Sequence, residues 1–195
     1  MVLRRFTKIY SEMLCSAPVF FGALFLLVER KQNMTKKQVL IVMGSRSDLP
    51  AMEGCMQQLD AFDIGYEVRV LSAHRTPEAV LQLSAQARDR GIQVIIAAAG
   101  GAAHLAGVIA SSTPLPVIGI PIQTSALGGM DSLLSTVQMP SGVPVATVAI
   151  GKAGPKNAAL LAVQMIGLTD ASIQQKMIDF KKEQAEKVLA DSIVE

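Results

Sequence analysis

An α/β fold with a five-stranded parallel sheet is the fold class that this sequence predicts, on three observations. Short apolar runs alternate with segments of helical periodicity, as in chains built from strand–helix–strand units. Half of the residues are hydrophobic but only 4% are aromatic, which suits a buried parallel sheet covered by helices. At 195 residues, the chain has the length of one ordinary domain with a sizeable core.

The strands are predicted from apolar runs bounded by glycine, proline and polar residues. They cover residues 39–43, 66–71, 94–99, 116–122 and 143–150. Because a helical segment connects each strand to the next, right-handed crossovers should make the sheet parallel. The pattern therefore indicates a three-layer αβα sandwich of the flavodoxin-like type.

The helices are predicted from apolar positions on one face and from start and stop signals. Thr76 and Pro77 suit the beginning of the second helix, Gly91 suits its end, and Asp170 should cap the last helix. The predicted helices cover residues 50–62, 77–90, 102–111, a short segment within 123–139, 155–166 and 171–190. The last helix extends past the sheet, either as an arm that packs on another subunit or as a solvated amphipathic tail.

Residues 1–33 do not fit this alternation. Basic residues precede an apolar run over residues 17–28, which is shorter than the ~20 residues of an ordinary transmembrane helix but has the length of a signal-peptide core. No small-residue cleavage pattern follows, and Met34 leads directly into the first strand. We expect an upstream-start artefact or a dispensable extension, with a weak membrane anchor as the alternative. Residues 34–168 are then the α/β domain, and residues 169–195 form the C-terminal helix.

Composition argues against several classes of partner. The formal net charge is only +2, and the basic residues form no stripe, so no nucleic-acid partner is expected. Cys15 and Cys55 show neither a metal-like spacing nor a disulfide framework. A reducing compartment such as the cytoplasm is therefore expected, without stable membrane association.

The loop after the first strand carries two hydroxyls and a carboxylate. Ser45 and Ser47 lie at a helix start, where backbone N–H groups bind phosphate, and Asp48 could hold ribose hydroxyls. The loop matches neither a G-x-x-x-x-G-K-[ST] nor a G-x-G-x-x-G motif, so neither ATP nor NAD is indicated. Taken alone, Ser47 and Asp48 would more often be helix N-caps than ligands.

The next two loops on the same edge carry the chain's two histidines. Ser72, His74 and Arg75 follow the second strand, so an imidazole that can titrate near neutral pH lies beside a guanidinium that can hold an anion. After the third strand, residues 100–104 read Gly-Gly-Ala-Ala-His. Small residues at a sharp turn expose N–H groups and leave room for a carboxylate, although close helix–strand packing also demands small residues. His104, as an isolated residue, would more often pack or hydrogen-bond than catalyse.

Taken together, these loops resemble a known family. The segments at residues 44–48, 72–77, 99–105, 138–140 and 149–154 are similar, in order and spacing, to those of the N5-carboxyaminoimidazole ribonucleotide mutases. These are small bacterial enzymes of purine (IMP) biosynthesis, also described as the catalytic subunit of phosphoribosylaminoimidazole carboxylase. The resemblance covers about residues 37–168, and residues 1–33 have no counterpart in it.

The resemblance implies an isomerase that uses no metal or organic cofactor. A carboxylate would move from the exocyclic nitrogen of an aminoimidazole ribotide to a ring carbon, by decarboxylation and recarboxylation. The implied catalytic general acid and base is His74. The implied substrate-binding residues are Ser45, Ser47 and Arg75 at the phosphate, Asp48 at the ribose, and Ser72, Gly100, Gly101, Ala102 and Ala103 around the carboxylate or CO2, with His104 as a further substrate-binding residue. The family is also described as a homo-octamer that receives its unstable substrate from an ATP-dependent enzyme.

Two other functions stay open at this point. A close variant is a carboxylase that joins CO2 directly to the unsubstituted aminoimidazole ribotide, and it would use most of the same residues. The other is a non-catalytic nucleotide-binding module, which would need the anion clamps but not His74. Turnover of the two candidate substrates, measured side by side, separates these functions.

Overall fold

The computed structural model describes residues 36–193, which form one five-stranded parallel sheet in the order β2-β1-β3-β4-β5. The strands are β1 (Lys37–Met43), β2 (Gly65–Val70), β3 (Val94–Gly100), β4 (Val117–Ile122) and β5 (Ala146–Thr147). This order is that of flavodoxin-like sheets, with its switch point between β1 and β3, so the predicted fold class is confirmed. The predictions for residues 1–33 lie outside the described residues.

Helices connect the strands and cover both faces of the sheet. After a 3₁₀ turn at Arg46–Asp48 come α1 (Leu49–Ala61), α2 (Pro77–Gln86), α3 (Leu105–Ala110), α4 (Met130–Val137), α5 (Ala153–Gly167) and α6 (Ala171–Ala190). Over residues 36–193, none of these helices is both long and apolar enough to cross a membrane.

The core consists of two apolar layers, one on each face of the sheet. Val39, Ile41 and Met43 of β1 pack with α1, α5 and α6, whereas Leu40 and Val42 pack with α2 and α3. All five side chains are at most 1% exposed, as expected of a central parallel strand covered on both sides. The uninterrupted apolar run of β1 therefore follows from its central place in the sheet.

The first half of α6 packs on its own chain. Ile173 and Met177 belong to the core layer on the α1–α5 face, and the ring of Phe180 lies 5.5 Å from that of Phe62 in an edge-on contact. The Asp170 carboxylate accepts hydrogen bonds from the backbone N–H groups of residues 172 and 173, at 3.0 and 3.2 Å, which confirms the predicted cap. From residue 181 onward every residue of the helix is exposed, whereas the first half keeps one face in the core.

Besides the helix predicted over residues 102–111, which is observed as Leu105–Ala110, three predicted elements are longer than the observed ones. The second helix ends at Gln86, and residues 87–91 continue as turns to Gly91, whose φ is +84°. The fourth strand begins at Val117, one residue after its predicted start at residue 116. The fifth strand shrinks from the predicted 143–150 to Ala146–Thr147.

Two prolines explain the short β5. The N–H of Val148 donates to the carbonyl of Gly119, and alternate residues of a parallel strand face the same neighbour. Pro144 therefore faces β4, and Pro121 faces β5, yet neither has an N–H to donate. Regular pairing stops where these two donors are missing.

An acidic side chain on the edge strand β2 gives a prediction about stability. Glu67 is 8% exposed and accepts hydrogen bonds from Arg69, at 2.6 Å, and from Arg90, with Lys37 at 4.0 Å. Burial alone would raise the pKa of Glu67, but the hydrogen bond from Arg69 and the charges of Arg90, Arg69 and Lys37 together hold it below the usual value of 4.5. A lowered pKa stabilises the fold above pH 4.5, and this contribution is lost as the pH falls through the folded-state pKa.

We expect Glu67→Gln to lower the free energy of unfolding at pH 7 by about 1–2 kcal/mol, because hydrogen bonds to a charged group are lost while the three cations stay largely solvated. Urea denaturation measures this, and the difference from the parent protein should shrink below pH 4.5. Glu186→Gln is the control, since Glu186 lies 3.9 Å from Lys182 with both side chains exposed and should change stability by less than about 0.5 kcal/mol. A pH-independent difference for Glu67→Gln would contradict the electrostatic explanation.

Candidate active site

A cavity of about 400 Å³ opens at the carboxyl edge of the sheet, where β1, β2 and β3 end side by side. The loops after these three strands line it, in the crevice where flavodoxin-like folds bind ligands. The predicted residues that line the cavity are Ser45, Ser47, Asp48, Ser72, His74, Arg75, Gly100 and Ala102. Gly101, Ala103 and His104 were also predicted but are not among its lining residues.

The first loop is held by a reciprocal capping box. The Ser45 hydroxyl accepts the N–H of Ser47 at 3.3 Å, and the Asp48 carboxylate accepts the N–H of Ser45 at 3.1 Å. The Ser47 hydroxyl lies 2.8 Å from that of Ser45. Asp48 is 9% exposed, so burial raises its pKa above the usual value, against the opposing hydrogen bonds from Ser45 and Ser47. Ser45 and Asp48 thus cap the turn and also face the cavity.

The second loop folds back on itself and is tied to the first. The Thr76 hydroxyl accepts the N–H of Ser72 and donates to its carbonyl, both at 3.0 Å, and the Ser72 hydroxyl accepts the N–H of Arg75 at 3.3 Å. Thr76 occupies the predicted N-cap position of α2, but its hydroxyl closes the loop and makes no cap bond to the helix. The Arg75 guanidinium donates to the carbonyl of Gly44 at 3.0 Å, so it lies against the first loop.

The two histidines form a direct contact. Nε2 of His74 lies 2.9 Å from Nδ1 of His104, and the rings meet edge-on with centroids 5.1 Å apart. Such a contact needs an N–H on one ring and a lone pair on the other. His104 therefore belongs to the site through His74. The sequence placed both residues at the same edge but gave no signal of this pairing.

The third turn exposes fewer N–H groups than its small residues suggested. The predicted helix start at residue 102 is wrong, because α3 begins only at Leu105. The N–H groups of Ala103 and His104 donate to the carbonyls two residues earlier, at 2.8 Å, and Gly101 has a φ of +68°. Within residues 36–193, the exposed Ala102 is left with an N–H that donates to no protein group.

A residue outside the predicted set also contributes to this turn. The Ser132 hydroxyl, from the first turn of α4, accepts the N–H of Gly101 at 2.9 Å. The amphipathic pattern of a short helix in a loop gave no reason to single out this serine. Its contact joins segments that are 31 residues apart in the chain.

A second, wider groove of about 540 Å³ lies between the first turns of α1 and α5. Its polar side chains include Glu53, Gln123, Lys152 and Lys156. None of the predicted residues lines it. The predicted residues that line a cavity all lie at the smaller one.

The smaller cavity is lined by an anion clamp, a carboxylate and the imidazole of His74, which contacts that of His104. Hydroxyls and the guanidinium can hold a phosphate, the carboxylate can accept hydrogen bonds from ribose hydroxyls, and the imidazoles can give and take a proton. This arrangement suits a small phosphorylated sugar whose reacting part undergoes proton transfer.

Comparison with known proteins agrees with this geometry. The profile of the AIR carboxylase family matches residues 38–187. The N5-carboxyaminoimidazole ribonucleotide mutase of Vibrio parahaemolyticus is 54% identical over 154 residues, covering 79% of this chain and 96% of that protein. The enzyme of the same name from Pyrococcus horikoshii is 55% identical over 153 residues, covering 78% and 85%.

This chain is also similar to a solved structure. The crystal structure of Treponema denticola PurE superposes with a TM-score of 0.71 at 32% identity, covering 78% of this chain and 94% of that one. The family match includes most of α6 as well as the sheet. The chain therefore belongs to the AIR carboxylase family.

Proposed function

We propose that this chain is a mutase that converts N5-carboxyaminoimidazole ribonucleotide into 4-carboxy-5-aminoimidazole ribonucleotide in purine biosynthesis. The observation that carries the proposal is the cavity in which His74, which contacts His104, lies beside the clamp of Arg75, Ser45 and Ser47. The proteins of Vibrio parahaemolyticus and Pyrococcus horikoshii, which are 54% and 55% identical to this chain over the aligned residues, bear the name of this activity.

In this proposal, the phosphate is held by Ser45, Ser47 and Arg75, and the ribose hydroxyls by Asp48. These contacts hold the unreacting end of the substrate, so their binding energy can serve to position the ring. Ser72 and the Gly100–Ala103 turn then surround the migrating carboxylate. The roles follow the family resemblance, and the shared cavity supports them.

The reaction requires that the substrate gain one proton at the exocyclic nitrogen and lose one proton from the ring carbon. When the bond between the exocyclic nitrogen and the carboxylate breaks, CO2 leaves, and the nitrogen takes up a proton from His74. The ring carbon then attacks CO2, and the proton displaced from that carbon returns to His74. The cycle leaves no net change of proton, so an imidazole that changes state within the cycle is sufficient.

The test is a turnover assay of the purified protein on two substrates. We expect conversion of the carboxyamino ribotide without added bicarbonate, at a rate above its spontaneous decomposition. Turnover only of the unsubstituted aminoimidazole ribotide with CO2 would instead support the direct carboxylase, which the family's name favours as the second candidate. Ligand binding without turnover of either would indicate a nucleotide-binding module.

The buried carboxylate Asp48 gives a prediction that separates binding from stability. Since its folded pKa is raised, its contribution to stability is present below the usual value and lost as the pH rises through the folded pKa. We expect Asp48→Asn to keep or raise the melting temperature at pH 7, because the amide oxygen can still accept the N–H of Ser45. Its KM should rise roughly tenfold or more, since a charged acceptor for ribose hydroxyls is lost. Thermal denaturation and steady-state kinetics measure the two effects. A lower melting temperature with an unchanged KM would show that Asp48 stabilises the fold and does not bind the ribose.

The assembly and location belong to the same proposal. The outer face of α4 exposes Met130, Leu134 and Val137 to 46–52%, and Leu127 just before it is 64% exposed. An apolar surface of this kind suits burial between subunits, and we propose a homo-octamer in the cytoplasm that takes its substrate from an ATP-dependent enzyme. Light scattering should give the mass of about eight chains, and a fully active monomer would contradict the assembly.

A further inference from the structure

The helix α4 presents a row of hydroxyl side chains to the turn that follows β3. Ser132, Ser135 and Thr136 are spaced three and four residues apart, which places them on one face of the helix. Ser132 is 0% and Thr136 is 2% exposed. Hydroxyls so deeply buried have to be satisfied by specific partners.

For Ser132, those partners are backbone groups at the turn and at the end of β4. The Ser132 hydroxyl accepts the N–H of Gly101 at 2.9 Å and donates to the carbonyl of Ile122, at the end of β4, at 2.7 Å. The Ser135 hydroxyl lies 3.1 Å from the carbonyl of Gly101 and closer to that of Asp131 in its own helix. Thr136 donates to the carbonyl of Ser132 at 2.7 Å within α4, with the carbonyl of Ala103 at 3.4 Å. The N–H of Gly101 is therefore fixed by Ser132, and its carbonyl lies within reach of Ser135.

The helix itself is seated tightly on the sheet. A Cβ atom built on Gly119 of β4 would lie 2.3 Å from Cγ2 of Thr136 and 2.9 Å from Cγ1 of Val145. Only a residue without a side chain lets α4 approach this closely. The hydroxyl row is thus held against the turn by packing as well as by hydrogen bonds.

This arrangement leaves one N–H group of the turn without a hydrogen bond to the described part of the protein. The N–H groups of Gly101, Ala103 and His104 are all consumed within the protein. Among the described residues, the N–H of Ala102 has no protein acceptor, and Ala102 lines the cavity beside His74. The residues on either side of it are those that α4 holds.

We propose that Ser132, assisted by Ser135, is a positioning residue that holds the Gly101–Ala103 turn so that the Ala102 N–H binds the migrating carboxylate and retains the CO2 derived from it. This rests on the proposed mutase function. Ser132 touches neither substrate nor His74 and acts through the turn. A preorganised donor costs no reorganisation when the charge moves, whereas a loose turn lets CO2 leave before the ring carbon captures it.

The experiment compares Ser132→Ala with Ser84→Ala. Ser84 is the matched control, because it is 2% exposed and donates to the carbonyl of Val80 at 2.6 Å within α2, away from the turn. Each variant is given the carboxyamino ribotide, and three quantities are measured: KM, kcat, and the fraction of consumed substrate that ends as unsubstituted ribotide and CO2, after subtraction of spontaneous decomposition.

For Ser132→Ala we expect a KM within about threefold of the parent, because the phosphate and ribose clamps are untouched. The kcat should fall roughly tenfold, less than the ~10²–10³-fold that follows removal of an oxyanion-hole donor itself, and the fraction of uncoupled decarboxylation should rise several-fold. Ser84→Ala should keep the parental product ratio. If Ser132→Ala does not fold by circular dichroism, Ser135→Ala, a half-buried position, should show the same shift in product ratio with a smaller loss of kcat.

A parental product ratio in the folded variant overturns the proposal, whatever the loss of kcat, because a purely structural role slows turnover without releasing CO2. A raised KM with an unchanged ratio overturns it as well. If the parent protein converts neither substrate, the mutase function itself fails, and this inference fails with it. These outcomes are distinguishable, because the parent protein is assayed first.

Discussion

Replacing His74 with Asn should lower turnover by roughly 10²–10⁴-fold, the range that a positioned general acid–base group supplies. Asn preserves much of the size of imidazole and some of its hydrogen bonding, but it cannot take up and return a proton. The substrate's phosphate and ribose contacts lie on other residues, so the KM or the dissociation constant should stay within a few-fold. Stopped assays at saturating substrate, with ligand binding measured in parallel, check both expectations.

The contact between His74 and His104 adds a prediction for the second histidine. With Nε2 of His74 only 2.9 Å from Nδ1 of His104, the second ring orients the first and can accept or supply a proton. His104→Asn should therefore reduce turnover, but less than His74→Asn, because Asn can still hydrogen-bond to His74. Turnover of His74→Asn within tenfold of the parent would contradict the assignment and make His104 the candidate acid–base group. Loss of turnover with retained binding would exclude the non-catalytic module.

The sheet could be predicted from the sequence because the signals for its strands are local and strong. A strand that is buried on both faces should be apolar, and β1 is apolar from Val39 to Met43. Glycines and prolines marked where strands end, and the regular alternation of strands and helices determined the parallel order. The same reasoning placed the three polar loops on one edge, where the cavity lies.

The sequence did not predict the features that depend on contact between two segments distant in the chain. Residues 143–150 read as a strand, but the length of β5 depends on Pro121 in another strand. The Gly100–His104 segment read as a helix start, yet the N–H groups of Gly101, Ala103 and His104 are taken by Ser132 of α4 and by local turns. The pairing of the histidines joins residues that are 30 positions apart. Each of these contacts depends on how the elements meet, which one-dimensional periodicity does not encode.

Arg75→Ala should raise the KM for the ribotide roughly 10- to 100-fold, with a smaller effect on kcat. A hydrogen bond to a charged group contributes about 1.5–3 kcal/mol, and a bidentate guanidinium–phosphate contact is among the stronger of these. Within residues 36–193, no carboxylate forms an ion pair with Arg75, so its charge is available to a phosphate. Its single hydrogen bond to the Gly44 carbonyl holds the guanidinium against the loop that carries Ser45 and Ser47.

Two further variants make this prediction specific. Arg75→Lys should recover only part of the affinity, because an ammonium keeps the charge but loses the planar, two-pronged geometry. Arg46→Ala is the matched control, since Arg46 is an exposed cation in the first loop that does not line the cavity, and its KM should stay within about threefold of the parent at physiological ionic strength. If Arg75→Ala and Arg46→Ala raise the KM equally, the effect is one of general surface charge. An unchanged KM for Arg75→Ala would remove the guanidinium from the phosphate site and leave Ser45, Ser47 and the turn between them as the anion clamp.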